Sequence, residues 1–304
     1  MFYSQNRFNF MKSLDIKDKI SSLNISLPSR KSFWDIGNLT ALRDREDGSY
    51  YQANYERGLL LYSLIATYRP KIVVEFGTGR GYGSICMSRS LVENNIDGLI
   101  YTIDSKGYRE KQNWVLDTGE GPATKSLSLA DIWPNYFPDT WLSRINLLHG
   151  DSVQIMKKWG SFGIPKADFA FIDGGHDFFT VKHDFYSFLS VANSDFKILF
   201  DDYARKPGFG ICQLIDDEIE AIFNTELIWS DRRWYGSQFE SSAKPNYGMV
   251  FIDTESTKKP WAKSFSNRTI SKFLRAYRMQ LIIRKVLASL RKPIGQILRF
   301  LRIL

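Results

Sequence analysis

"KIVVEFGTGRGYGS" (residues 71–84) decides how this chain is read. An apolar run, Ile72-Val73-Val74, ends on an acid, Glu75, and glycine then fills every second place: Gly77, Gly79, Gly81 and Gly83. A strand running into a glycine-rich turn and then a helix lets a ligand come close to the main chain. The helix amides and the positive end of its dipole then face that ligand. The frame is not the dinucleotide fingerprint G-x-G-x-x-G: counted from Gly77 the third glycine place holds Tyr82, and from Gly79 it holds Ser84. A nicotinamide dehydrogenase therefore fits poorly.

Outward from this stretch, short apolar segments alternate with helical patterns. Strands are expected at 71–76, 99–104, 145–148, 168–173, 196–201, 226–229 and 247–252, several of them ending on an acid. Such alternation predicts an α/β fold: a mostly parallel seven-stranded sheet with helices on both faces and an antiparallel last strand. Ligands of such sheets bind beyond the carboxyl ends of the strands, where these acids lie. Three parts are expected: a helical cap or extension over 1–50, the ligand-binding domain over 51–255, and a linker ("DTESTKKP") with a basic helical tail over 256–304.

The bulk composition sets bounds. The chain has 304 residues, 43% of them apolar and 15% aromatic, enough for a substantial core. Cys86 and Cys212 stand far apart and in no C-x-x-C pair, so neither a disulfide framework nor a zinc site is expected. Residues 1–19 mix polar and charged types without the apolar core of a secretion signal, and no apolar run approaches the ~18 residues of a membrane span. A reducing, cytoplasmic setting is the expectation. The net charge of +8 is concentrated at one end: residues 268–304 hold ten Lys or Arg and no acid, so 31 basic residues face 33 acidic ones in the rest of the chain.

"VVEFGTGRGYGS" resembles motif I of the Rossmann-like (class I) S-adenosylmethionine-dependent methyltransferases, and the resemblance covers roughly residues 55–252. It implies that the loop of Glu75, Gly77, Thr78, Gly79 and Gly81 wraps the methionine part of S-adenosylmethionine. Asp104, ending "YTID" beside Ser105, would bind the ribose hydroxyls, since a carboxylate accepts hydrogen bonds from both. "HGDSVQIM" (149–156) is similar to the segment bordering the adenine, with Asp151 and Ser152 as candidates.

"DFAFIDGGHDFF" and "ILFDDYA" bring Asp173, His176, Asp201 and Asp202 to strand ends. Carboxylates pushed together repel one another, and a hard divalent cation with oxygen ligands would relieve that. The pattern is similar to the metal-dependent small-molecule and sugar O-methyltransferases, which implies Mg²⁺ held by Asp173, Asp201 and Asp202. His176, three residues after Asp173, is then the candidate base. Gly175 stands where relatives carry a second Asp, so that residue's role is not transferred, and Asp177 is a weaker substitute. Plainer readings stand beside these: Asp201 as a cap, Asp202 as a solvated acid, His176 as a packed or helix-starting residue, and His183 and His149 as structural.

The expected activity is Mg-assisted O-methylation of a hydroxyl on a sugar, glycan or other small molecule. A metal-independent N- or O-methyltransferase and a non-catalytic binding protein on the same fold are the alternatives. About forty residues after Asp104, with Tyr108, Trp114, Trp133, Tyr136, Phe137 and Trp141, read either as an aromatic acceptor wall or as a peripheral helix. "DRRWYGSQ" (231–238) reads as a second acceptor-side loop. In the tail, Ile283, Val286, Leu287, Leu290, Ile294, Ile297, Leu298 and Leu301 follow helical spacing among cations, with a second helix or kink expected at Pro293. That pattern suits an anionic membrane surface, placing the protein peripherally at the inner membrane, or a helix packed on its own domain or on a homo-oligomer partner; nucleic acid is not expected.

Overall fold

A computed structural model describes residues 11–44, 48, 50–51, 54–204, 209–230 and 247–301, and the side chains of all of these except 51, 256 and 285–301. The strands β1 (Lys12–Asp15), β2 (Ile72–Phe76), β3 (Leu99–Asp104), β4 (Ile145–His149), β5 (Ala167–Ile172), β6 (Ala192–Tyr203), β7 (Phe223–Trp229) and β8 (Gly248–Thr257) form one sheet. Their order is β1-β7-β8-β6-β5-β2-β3-β4. β8 runs antiparallel to both its neighbours, and the other pairings are parallel. The sheet thus has eight strands where seven were expected. The added one, β1, comes from the N-terminal stretch read as a helical cap or extension, and it is held at the edge by Lys12 on Glu226, which Lys19 of the following helix also pairs.

Among the described residues the longer helices flanking the sheet, some directly and some on other helices, are α1 (Ile16–Ser22), α2 (Arg30–Thr40), α3 (Tyr55–Tyr68), α4 (Tyr82–Glu93), α5 (Leu129–Tyr136), α6 (Ser152–Lys157), α7 (Phe178–Val191) and α8 (Asn267–Leu301). The period-2 alternation of the buried strands divides the core in two. Ile72, Val74 and Phe76 of β2, with Ile198 and Phe200 of β6, face α7 and the start of α8. Val73, Phe169, Phe171 and Leu199 face α1 to α4. Both faces are dry, which is why these strands read as continuous apolar runs.

Three boundaries differ from the sequence reading. The "linker" at 253–260 continues β8 to Thr257, because the buried ammonium of Lys197 pairs with Asp253 (2.9 Å) and Glu255 (3.1 Å). The tail is one helix through Pro293, without a second helix. The connection after β3 holds a hairpin (Gln112–Leu116 with Ala123–Leu127) and α5. In it Trp114, Trp133 and Phe137 are buried in the core, not displayed as a stacking wall. Trp114 Nε1 donates to the carbonyl of Leu39 at 2.7 Å.

From β2 the chain winds outward to β3 and β4, then returns across to β5 on the other side of β2. The crevice beyond β2 and β5 is therefore the switch point of the sheet, where neighbouring connections diverge and a ligand can enter.

Candidate functional site

A cleft of about 840 Å³ opens at this switch point. It is lined by the glycine loop, Asp104 and Ser105, Asp151 to Val153, and Asp173 to His176, with Arg57 from α3 and Tyr277 and Leu281 from α8. A cleft of this size suits a cofactor-sized molecule.

The glycine loop is shaped mainly by the protein itself. Gly77 has φ +93°, and a Cβ there would collide with the carbonyl of Asp173, so the ends of β2 and β5 can meet only at a glycine. Gly81 and Gly83 are likewise pressed against Trp133 and Glu75. Gly79, at φ +55°, faces open space, and its amide donates to Asp104 Oδ2 at 2.8 Å. The side chains of Glu75 and Thr78 turn inward. Glu75 lies 1% exposed beneath α4 and accepts hydrogen bonds from Ser84 and Thr102, the latter at 2.6 Å. Burial pushes its carboxyl up to about 7, against the pull of those two hydroxyls. Thr78 Oγ1 meets Thr102 Oγ1 at 2.6 Å. These two residues set the loop from below, and its backbone is what faces the cleft.

Asp104 accepts from Gly79 N and, through Oδ1, from Lys106 N at 2.8 Å. Oδ2 keeps a lone pair for a further donor, and on Oδ1 a ribose hydroxyl would take the place of a long contact from Ser105. Ser105 Oγ leans on Asp104 at 3.4 Å. Asp151 caps α6 through Val153 N (2.8 Å), and Ser152 Oγ donates to the buried Asp184 (2.7 Å). His149 is exposed, near the carbonyl of Ser105 (3.1 Å), and is not the packed residue expected. His183 is buried between Asp184 (3.2 Å) and Ser187 (3.1 Å) and lies against the Tyr277 ring, a structural placement.

The acids separate into two groups. Asp173, His176 and Asp202 bring ligand-type atoms within 4.8 Å of one another. Asp201 does not join them. It is fully buried and held by Arg57 Nη1, by the Tyr247 hydroxyl (2.7 Å) and by the amide of Asp202 (2.9 Å). Strand alternation places Asp201 with Leu199 on the α3 face, and the backbone turn at Asp202 aims its carboxylate at His176 instead. Asp202 adopts φ +59° where the pairing with β8 shifts register. Its Oδ2 meets His176 Nε2 and its Oδ1 lies 2.6 Å from the Tyr247 hydroxyl. That phenol has one proton and donates it to one of the two carboxylates at a time.

Charges follow the same division. Arg57 Nη1 also holds Asp173 Oδ2 at 3.0 Å. Burial alone would lower the Arg57 pKa, but the carboxylates of Asp173 and Asp201 more than reverse it, so the guanidinium stays charged. Burial pushes Asp173 well above the usual carboxylate range despite Arg57, and Asp201 and Asp202 add to the rise. The hydrogen bond to Asp202 raises His176. Burial opposes ionisation of Asp202, yet His176 and Tyr247 hold it below the usual value. Arg57 thus supplies from within the protein part of the positive charge that the sequence reading assigned to a metal.

For a divalent cation, the donors that fit are Asp173, Asp202 and His176, two carboxylates and an imidazole, with Asp201 excluded. Sequence reasoning missed Arg57, Tyr247, Tyr277 and Leu281. Arg57 carried one signal, a lone cation opening an otherwise apolar helix ("NYERGLLLYSL"). Tyr277 and Leu281 come to the cleft, and Tyr247 to the acids beside it, from distant segments with no local mark. The loop 231–238 lies outside the described residues.

Residues 74–203 match the family model described as a methyltransferase domain. A search of curated proteins finds no match. Among solved structures the chain is similar to an O-methyltransferase from Bacillus cereus in complex with SAH (16% identity, 79% of this chain and 97% of that one, TM-score 0.47). It is also similar to the O-methyltransferase TomG from Streptomyces achromogenes, involved in tomaymycin synthesis, in complex with SAM (15%, 83% and 100%, TM-score 0.44). A third similar structure is the MycE methyltransferase of the mycinamycin pathway with Mg, SAH and mycinamycin VI (14%, 65% and 48%, TM-score 0.37). At these scores the three likenesses carry no functional weight. The family match spans the glycine loop and both acid-bearing strand ends, and the sheet around them is mostly parallel with its switch point at that loop: residues 74–203 are similar to a methyltransferase domain and lie on a Rossmann-like sheet.

Proposed function

We propose that the protein transfers a methyl group to a hydroxyl of a small molecule or glycan. The observation that carries this is His176, which lines the cleft together with the loop that would hold the cofactor and is paired with Asp202 behind it. S-adenosylmethionine supplies an electrophilic methyl on a sulfonium. Asp104 would hold the ribose hydroxyls, the glycine-loop backbone the methionine end, and Asp151 and Ser152 would border the adenine. Asp202 holds His176 through Nε2, and Nδ1 has no partner among the described residues. His176 would use it to take the proton of the acceptor hydroxyl as the C–O bond forms. His176 stacks on Phe209 (4.9 Å, 17°), which fixes the ring plane.

Magnesium bound by Asp173, Asp202 and His176 would add orientation and acidification of the hydroxyl. A metal-free reading is favoured by one observation: Arg57 already neutralises one charge of the acid group. The test is turnover of hydroxylated acceptors by wild type and His176→Asn, each with added Mg²⁺ or with chelator. His176→Asn should lower kcat by about 10²–10⁴ while leaving SAH affinity unchanged. Loss of wild-type activity on chelation selects the magnesium reading, and full activity in chelator selects the dyad alone. An unchanged kcat in His176→Asn would overturn the base assignment.

A further inference from the structure

The first half of α8 has two opposite faces. Ile270, Leu274 and Tyr277 are buried against α7, and Leu281 continues that line into the cleft wall. At 3.6 residues per turn, Arg268, Lys272, Arg275, Met279, Ile282 and Ile283 fall together on the arc directly opposite, and all six are exposed. Met279, Ile282 and Ile283 are 53%, 55% and 52% exposed, spaced as one apolar patch a turn long. The cations sit on the same arc in the turns before it, and no acid occurs from 267 to 304 to neutralise them.

From this juxtaposition we infer that the outer face of α8 docks on an anionic lipid surface. Apolar side chains flanked by cations on one arc match an interface where acyl chains lie under negative headgroups. A second copy of the chain would bring like-charged faces together with no acid to offset them. Phosphate contacts alone, as on nucleic acid, leave three exposed apolar side chains without use. The inner face of the same helix walls the cleft, so docking places the cleft within about one helix diameter, ~10 Å, of the lipid. The acceptor class that this placement selects is a hydroxyl of a lipid-linked glycan or headgroup. That consequence, unlike docking itself, rests on the proposed methyl transfer.

The test uses the full chain, sedimented with phosphatidylcholine vesicles with and without phosphatidylglycerol. Binding should be about tenfold or more stronger with phosphatidylglycerol and should weaken as salt rises. Ile282→Glu/Ile283→Glu and, separately, Arg268→Glu/Lys272→Glu/Arg275→Glu should each abolish it. Calorimetry with SAH on the same variants should show unchanged affinity, which separates failure of docking from failure of the cofactor reading. Equal binding to neutral vesicles, or none to anionic ones, would overturn the inference. So would a dimer in light scattering that Ile282→Glu/Ile283→Glu dissolves, since a second copy would then cover this face.

Discussion

Replacing Arg57 by methionine should be among the most damaging single changes this protein can suffer. The guanidinium stands between Asp173 and Asp201, and Asp201 has no solvent to turn to, being fully buried. Methionine keeps much of the side-chain volume and removes the charge. Taking away one partner of a buried ion pair typically costs about 3–5 kcal/mol, because the remaining charge is left uncompensated. For a domain of this size that is a fall in Tm of roughly 10 °C. The second half of the experiment removes the orphaned charge. Arg57→Met/Asp201→Asn keeps a side chain that can accept from Tyr247, and it should recover most of the loss, with a coupling energy above about 1.5 kcal/mol. The assay is urea unfolding of the single and double variants. A loss below about 1 kcal/mol in Arg57→Met, or no recovery in the double variant, would refute the view that Arg57 is the internal counter-ion of the acid cluster.

Two further outcomes are expected of the site. Glu75 binds its proton more tightly folded than unfolded, so between pH 4.5 and about 7 the folded state holds the extra proton and stability falls as pH rises, by about 3 kcal/mol in all. Urea midpoints of Glu75→Gln across that range should lose this slope, and an unchanged slope would show that Glu75 is not its source. Tyr277→Ala removes an aromatic wall from the cleft and should weaken SAH about tenfold in calorimetry, while Tyr277→Phe should not; equal affinities in all three would place Tyr277 outside the cofactor site.

The centre of the sheet was legible because β2, β5 and the second half of β6 are buried on both faces, so each reads as an apolar run closed by an acid. β1 was not legible: "KSLD" is a four-residue edge strand whose pairing with β7 lies 214 residues away. Glycine periodicity pointed to the loop correctly, but not to its cause, since Gly77 answers to the carbonyl of Asp173 across the sheet. The acidic pair was read as two ligands on one side. Period-2 alternation, already visible in "ILFDDY", sends Asp201 with Leu199 toward α3, while Asp202 turns to His176 through a positive φ that no local pattern announces. The apolar stripe read in the tail runs from Ile283 to Leu301; of its side chains only Ile283 lies among those described, and it is exposed, while the buried face of α8 is formed earlier, by Ile270, Leu274 and Tyr277, through packing against α7 that no local pattern encodes.

The central claim is that this cleft holds S-adenosylmethionine with Asp104 on its ribose. Calorimetric titration of wild type and Asp104→Ala with S-adenosylhomocysteine tests it most directly. Micromolar binding is expected of the wild type, with loss of about 100-fold or more when the carboxylate and its two hydrogen bonds to the diol are removed. Binding that survives Asp104→Ala undiminished, or a wild type that takes up no S-adenosylhomocysteine, would contradict it.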